Sequence, residues 1–73
     1  MTNHFKVILQ KEEEGGFSVY VPALPGCASQ GETEQEAISN IKEAIDLYLE
    51  SLKEDRLPIP HDDFVLRDVE VTV

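Results

Sequence analysis

The segment from Gly15 to Ala44 constrains the fold of this chain more than any other. Its glycine pair, Gly15 and Gly16, follows the acidic run 12–14 and has the free dihedral angles that suit a hairpin turn. On both sides of the turn, apolar residues alternate with polar ones, which is the period of a strand with one buried face: Phe5, Val7 and Leu9 before it, and Phe17, Val19 and Val21 after it. The pattern therefore predicts a β-hairpin of strands 4–11 and 17–21.

A rigid connection and a short third strand are predicted next. Pro22 and Pro25 each remove a backbone donor and fix a φ angle, so the segment 22–26, which ends in Gly26, is expected to be rigid, with Leu24 in the core. The small residues 27–30 then predict a third strand that stops at Gly31.

A long amphipathic helix follows. Thr33 and Glu36 have the Thr-x-x-Glu spacing of a capping box, which predicts that the helix begins here. Pro58 ends it at or before Leu57. Apolar residues recur in it at three- and four-residue spacing and predict a core-facing stripe: Ala37, Ile38, Ile41, Ala44, Ile45, Tyr48, Leu49 and Leu52.

These elements predict an α+β fold. Val69, Val71 and Val73 alternate with polar residues as a last strand, and a right-handed crossover would place it parallel to the first strand of the three-stranded antiparallel meander. We expect residues 1–73 to form a single domain. The sheet face away from the helix, lined by Ile8, Tyr20 and Cys27, is a candidate surface for self-association.

Composition narrows the classes of partner. The formal net charge is −9, and the six Lys and Arg residues are scattered among fifteen acids, so direct nucleic-acid binding is not expected. Such a chain is attracted to basic proteins, although acidity also serves solubility alone. A core of this size supplies only about 3–5 kcal/mol, and the single Cys27 offers neither a disulfide nor a zinc pair. We therefore expect a homo-oligomer, a dimer or a tetramer, without a cofactor.

The N-terminal residues 1–4 are neither basic nor followed by an apolar run, and no apolar segment approaches the ~20 residues of a membrane span. The sequence thus predicts a cytoplasmic protein that does not enter a membrane.

Several pieces taken together resemble the HicB-like antitoxin family. They are Gly15 to Pro22, Leu24 to Cys27, Gly31 to Thr33, and the helix positions from Glu36 to Ile45. The resemblance implies a partial, degenerate ribonuclease-H-like fold that binds and silences a HicA-like toxin, a small basic protein that cleaves RNA. Members of the family usually carry a C-terminal DNA-binding segment that represses their own operon. No such segment is recognisable here, so autorepression stays an open question.

The candidate toxin-binding residues are acidic and surround the predicted hairpin tip and helix start. They are Glu12, Glu13, Glu14, Glu32, Glu34, Glu36 and Glu43. The alternative for each is a solvated surface charge, which at Glu12, Glu13 and Glu14 is a charged hairpin tip that discourages edge pairing.

Catalysis is not expected. Cys27 lacks a nearby base in the sequence, because the two histidines lie near opposite ends of the chain, and we interpret it as a buried structural thiol. Asp62 and Asp63, beside His61, are interpreted as a solvated turn and not as a metal site. A two-metal nuclease needs carboxylates that converge from several strands, and only the last predicted strand offers one, Glu70.

Two function hypotheses remain at this point. The first is a non-enzymatic antitoxin that neutralises a HicA-like toxin by protein contact. The second is an orphan regulatory domain that associates with itself and has no toxin partner.

Overall fold

The computed structural model describes residues 2–73 and leaves out Met1, the first residue of the predicted domain. These residues form three strands and one helix: β1 Ile8–Lys11, β2 Phe17–Tyr20, β3 Ala28–Gly31 and α1 Glu34–Glu54. The strands form one antiparallel sheet in the order β1-β2-β3. The predicted meander followed by a helix is therefore confirmed, and the fold belongs to the α+β class.

The hairpin turn is closed by backbone hydrogen bonds. The N–H of Glu12 donates to the carbonyl oxygen of Gly16 at 3.0 Å, and that of Gly15 donates to Glu12 at 3.1 Å. Gly15 and Gly16 have φ angles of 101° and 85°, in the region that L side chains rarely adopt. β1 is shorter than predicted, because β2 ends at Tyr20 and leaves residues 4–7 without a strand partner.

The connection between β2 and β3 consists of two tight turns that share Leu24. Its N–H donates to the Val21 carbonyl at 3.0 Å, and its carbonyl accepts from the Cys27 N–H at 3.0 Å. Pro22 and Pro25 occupy the second position of each turn, where a fixed φ is favourable. The Leu24 side chain is fully buried. The rigid connection with Leu24 in the core is confirmed.

Both ends of α1 are capped by local hydrogen bonds. The Thr33 hydroxyl accepts from the N–H of Glu36 at 3.0 Å, and a carboxylate oxygen of Glu36 accepts from the N–H of Glu32 at 3.1 Å, one residue earlier than in the usual capping box. At the other end, Arg56 has a φ of 56° and its N–H donates to Lys53 at 3.1 Å.

The N–H of Leu57 reaches the Leu52 carbonyl at 2.9 Å, which completes a Schellman motif. The helix thus ends before Leu57, as predicted.

The core lies between the sheet and the first half of α1. Its buried residues are Val19, Val21, Leu24, Cys27, Ala37 and Ile41. Six residues of the predicted helix stripe are buried or pack against this core, and they are Ala37, Ile41, Ala44, Ile45, Tyr48 and Leu49. The placement of Ile38 in the core was wrong: its side chain is 41% exposed, because the helix presents a narrower apolar face to a three-stranded sheet.

The prediction that Cys27 lines the open sheet face was also wrong. Tyr20 pairs with Ala28 and with Ile8, so these three share the open face. Cys27 is one residue before Ala28, and because side chains alternate along a strand it points to the opposite side, into the core.

The predicted fourth strand is not formed. Residues 57–73 contain no helix or strand, and among residues 2–73 β2 is the one strand that pairs with β1. The apolar residues of this segment are largely exposed, with Val69 at 81% and Val71 at 73%. The prediction required these valines to pair with the nearest sheet edge of their own chain. In the structure they are exposed to solvent instead.

Within residues 2–73, α1 has neither the length of apolar sequence nor the low charge that a membrane-crossing helix needs.

Candidate functional site: an acidic cleft

An open cleft of about 730 Å³ lies between the hairpin tip and the start of α1. Four of the seven predicted partner-binding residues line it: Glu12 and Glu14 from the hairpin, Glu32 from the loop before α1, and Glu36 from the first helical turn. No lysine or arginine is among its lining residues in the described chain. The cleft therefore concentrates negative charge on one concave surface.

Gly31 allows this arrangement, because β3 runs directly into the helix start. A Cβ atom at Gly31 would lie 2.4 Å from the backbone nitrogen of Ala37 and 2.8 Å from the carbonyl carbon of Glu36. Real Cβ atoms do not approach so closely. The strand and the first turn of α1 are in contact only because residue 31 has no side chain.

Asn40 fixes the helix to the outer edge of β3. Its side-chain amide donates to the backbone carbonyl of Gln30 at 2.8 Å. Both residues line the cleft. Because Asn40 lies one turn after Glu36, this bond holds the acidic first turn in a defined position relative to the sheet.

The other predicted residues lie outside the cleft. Glu13 lines a second hollow formed by the hairpin itself, together with Lys11. Glu43 is exposed on the helix seven residues after Glu36, which places it on the same side of α1. Glu34 is also exposed but is two residues from Glu36, and so it projects in a different direction.

Several residues of the cleft were not predicted from the sequence. Phe17, Gln30 and Asn40 line it without having been identified as candidates. A usable signal existed for Asn40, because asparagine is a poor helix former and occurs inside a helix chiefly when its side chain has a specific partner.

The groups considered for catalysis do not converge. Among residues 2–73, no group of three or more His, Cys, Asp or Glu side chains is placed to hold a metal ion. His61 and Asp63 are exposed. Burial raises the pKa of the Cys27 thiol above its ordinary value of 9.0, which disfavours the nucleophilic thiolate.

The sequence predicted a solvated turn at Asp62, and this prediction was wrong. Its side chain is only 16% exposed, and one carboxylate oxygen accepts from the backbone N–H of Lys6 at 2.8 Å. The Lys6 ammonium lies 3.9 Å from the same oxygen. Asp62 therefore fixes the segment after the helix to the residues just before β1, and its other oxygen is buried without a hydrogen-bond partner among the described residues.

A concave surface that carries four carboxylates and no lysine or arginine favours a positively charged partner. Comparison with known sequences gives the family. The profile described as HicB-like antitoxin of bacterial toxin-antitoxin system matches residues 5–69. This chain belongs to the HicB-like antitoxin family.

Its relatives include small proteins from bacteria and archaea. A UPF0150 protein of Synechocystis is 44% identical over 70 residues, which cover 96% of this chain and 89% of that protein. A UPF0150 protein of Thermoplasma acidophilum is 55% identical over 58 residues, 80% of this chain and 84% of that one. For a UPF0150 protein of Helicobacter pylori the identity is 52% over 50 residues, 68% of each chain. The family suggests a non-enzymatic, regulatory role in a toxin-antitoxin system.

Proposed function

We propose that this protein is an antitoxin that neutralises a small, basic, HicA-like RNA-cleaving toxin by direct contact through the acidic cleft. The observation that carries the proposal is the convergence of Glu12, Glu14, Glu32 and Glu36 on one concave surface in a member of this family. Proteins that bind RNA do so with clustered Lys and Arg side chains. Carboxylates spaced around a cleft compete with RNA phosphates for those cations.

The cleft supplies more than charge. Phe17 is half-buried in its lining and offers apolar contact area. Exposed charges at an interface mainly accelerate association, whereas desolvated contacts slow dissociation. The glutamates are therefore expected to steer the toxin to the cleft, and the apolar lining to prolong the complex.

The remaining features of the prediction belong to the same proposal. An RNA-cleaving toxin acts where cellular RNA is, so an antitoxin that works by contact is expected in the cytoplasm. The partial ribonuclease-H-like fold, the homo-oligomer and the single domain of residues 1–73 stay predictions.

The test compares two charge-neutralising variants for their binding to a purified small, basic, HicA-like toxin. E14Q/E32Q removes two cleft charges and leaves the capping carboxylate of Glu36 in place. E50Q/E54Q removes two exposed charges near the far end of α1, more than ~20 Å along the helix from Glu36. Both variants change the net charge from −9 by the same two units.

We expect the cleft variant to lower the association rate constant about tenfold at low salt and the control variant to change it little. Co-expression of the cleft variant should rescue toxin-arrested cells less well than co-expression of the control variant. Equal effects of the two variants would mean that only net charge matters and would contradict the cleft as the site. Absence of binding by the unaltered protein would contradict the antitoxin function itself.

A further inference from the structure

The C-terminal segment of this chain leaves the body of the domain. After Asp62, which is fixed to Lys6, the residues from 65 to 73 are all exposed. The chain measures 48 × 28 × 19 Å and has a radius of gyration of 14.3 Å, against about 11 Å for a compact chain of this length. Residues 65–73, called the C-terminal arm from here on, therefore extend into solvent.

The arm has the sequence of a strand without a partner. Val69, Val71 and Val73 are 81%, 73% and 117% exposed, and they alternate with Glu70 and Thr72. Alternation of β-branched and polar residues is typical of a strand with one apolar face. Within 65–73 the structure contains one hydrogen bond, from the Arg67 guanidinium to the Leu66 carbonyl, and no backbone pairing.

The outer edge of β1 is an open strand edge. Glu12 bonds to Gly16 across the hairpin, and hydrogen-bonded pairs alternate along an antiparallel ladder, so Gln10 and Ile8 also bond to β2. The backbone groups of Leu9 and Lys11 consequently point away from β2. No described strand lies on that side of β1.

The opposite edge of the sheet is less accessible. The outward carbonyl of Gln30 in β3 already accepts from Asn40, and the first turn of α1 packs against Gly31. Of the two edges, β1 is the one free to accept a further strand.

Charge matches the arm to this edge. The segment 4–11 contains Lys6 and Lys11 and no acid, whereas the arm contains Asp68 and Glu70 against a single Arg67 and is preceded by Asp62 and Asp63. The contact between Lys6 and Asp62 is one example of this attraction within the chain. A basic toxin would be repelled from a strand edge flanked by two lysines, whereas the arm of another copy, whose side chains carry one net negative charge, is weakly attracted to it.

We propose that the C-terminal arm of one copy pairs as an additional strand with the outer edge of β1 in a second copy. Each chain carries one arm and one open β1 edge, so a reciprocal exchange about a two-fold axis uses both, buries the valines and closes the assembly at two copies. The interface does not involve the acidic cleft, and the inference holds or fails independently of toxin binding.

The test measures the mass of the full chain in solution by analytical ultracentrifugation over a concentration series. We expect a dimer of the 8.2 kDa chain. Val71→Asp places a charge on the apolar face of the arm and should raise the dimer Kd at least about tenfold. Thr72→Asp adds the same charge on the other face, and its dimer should persist.

A second variant tests the accepting edge. Lys11→Pro removes an N–H that points away from β2, so the hairpin ladder stays intact while the outer edge loses a donor. This variant should be monomeric and retain the circular dichroism spectrum of the parent chain.

Isotope-filtered NMR on a mixture of labelled and unlabelled chains identifies the partner of the arm. Contacts between the arm valines and β1 that cross from one copy to the other would support the proposal. A monomeric parent chain, a dimer insensitive to Val71→Asp, or arm contacts found only within one chain would each overturn it.

Discussion

Replacing Gly31 with alanine should destabilise the fold more than any other single methyl addition at a glycine of this chain. The added Cβ would lie 2.4 Å from the Ala37 nitrogen, 2.8 Å from the Glu36 carbonyl carbon and 2.9 Å from the Ala37 Cα. Ordinary contacts of this kind measure 3.4–4 Å, so the helix start must move by about 1 Å or more. All three atoms belong to the backbone, and no side-chain rotation can relieve the contact.

The movement disturbs interactions that define both the core and the cleft. Ala37 is fully buried, and the Asn40 amide bonds to the β3 carbonyl of Gln30 at 2.8 Å. Overpacking a core costs about 1–3 kcal/mol of the free energy of unfolding. We expect a cost at the upper end of this range for Gly31→Ala, because the opposing backbone atoms are rigid. A domain of this size has only ~3–5 kcal/mol in total. Because each kcal/mol shifts the Tm by about 4–8 °C, we expect a fall of roughly 12 °C or more.

Thermal and urea unfolding followed by circular dichroism measure the effect, with Gly15→Ala as the matched control. Gly15 has open space around its Cβ position and a φ of 101°, so alanine there causes backbone strain alone, about 1–2 kcal/mol. Adding Ala37→Gly to Gly31→Ala should give no rescue, because the contacted atoms remain. Rescue by that second change, or a Gly31→Ala variant as stable as the parent, would refute the steric argument.

Two further predictions concern the end of α1 and the buried thiol. Arg56 has a φ of 56° in a Schellman motif, where glycine has no steric penalty, so Arg56→Gly should raise the free energy of unfolding by about 0.5–1 kcal/mol in urea titrations; a loss of stability would contradict it. Burial raises the pKa of the Cys27 thiol, so the folded state holds this proton above pH 9.0, and stability should fall as the pH rises through the ordinary thiol pKa. The free energy of unfolding, measured against pH for the parent chain and for Cys27→Ala, should fall more steeply above pH 9.0 in the parent chain. Equal slopes for the two proteins would show that Cys27 is not the group responsible.

The local signals of the sequence predicted the local structure well. The glycine pair, the two prolines and the Thr33 cap each restrict a few neighbouring dihedral angles, and their effect does not depend on the rest of the chain. The hairpin, the rigid connection and the helix start were correct for that reason. The same reasoning could not show that the arm stays away from its own β1, because strand pairing is decided by long-range competition between partners.

The acidic character of the cleft was predictable from the sequence, but the residues that line it were not. Charge counting identified seven glutamates near two loops, and the structure brings four of them together. The selection depends on how closely β3 approaches α1, which Gly31 and the Asn40 bond determine. Neither residue carries charge, so an argument from electrostatics alone could not identify them.

The distribution of charge separates the two proposed interactions. Two copies that each carry a net charge of −9 repel one another, and salt screens this repulsion with a Debye length of about 8 Å at physiological ionic strength. The attraction of the arm to Lys6 and Lys11 acts over shorter distances and is supplemented by valine burial, which salt does not screen. The dimer Kd should therefore stay the same or decrease as salt is raised. Binding of a basic toxin to the acidic cleft is an attraction between opposite charges and weakens under the same change. Raised salt should therefore lower the association rate constant of the toxin and should not raise the dimer Kd, and a dimer Kd that rises with salt would mean that charge attraction, and not valine burial, holds the two copies together.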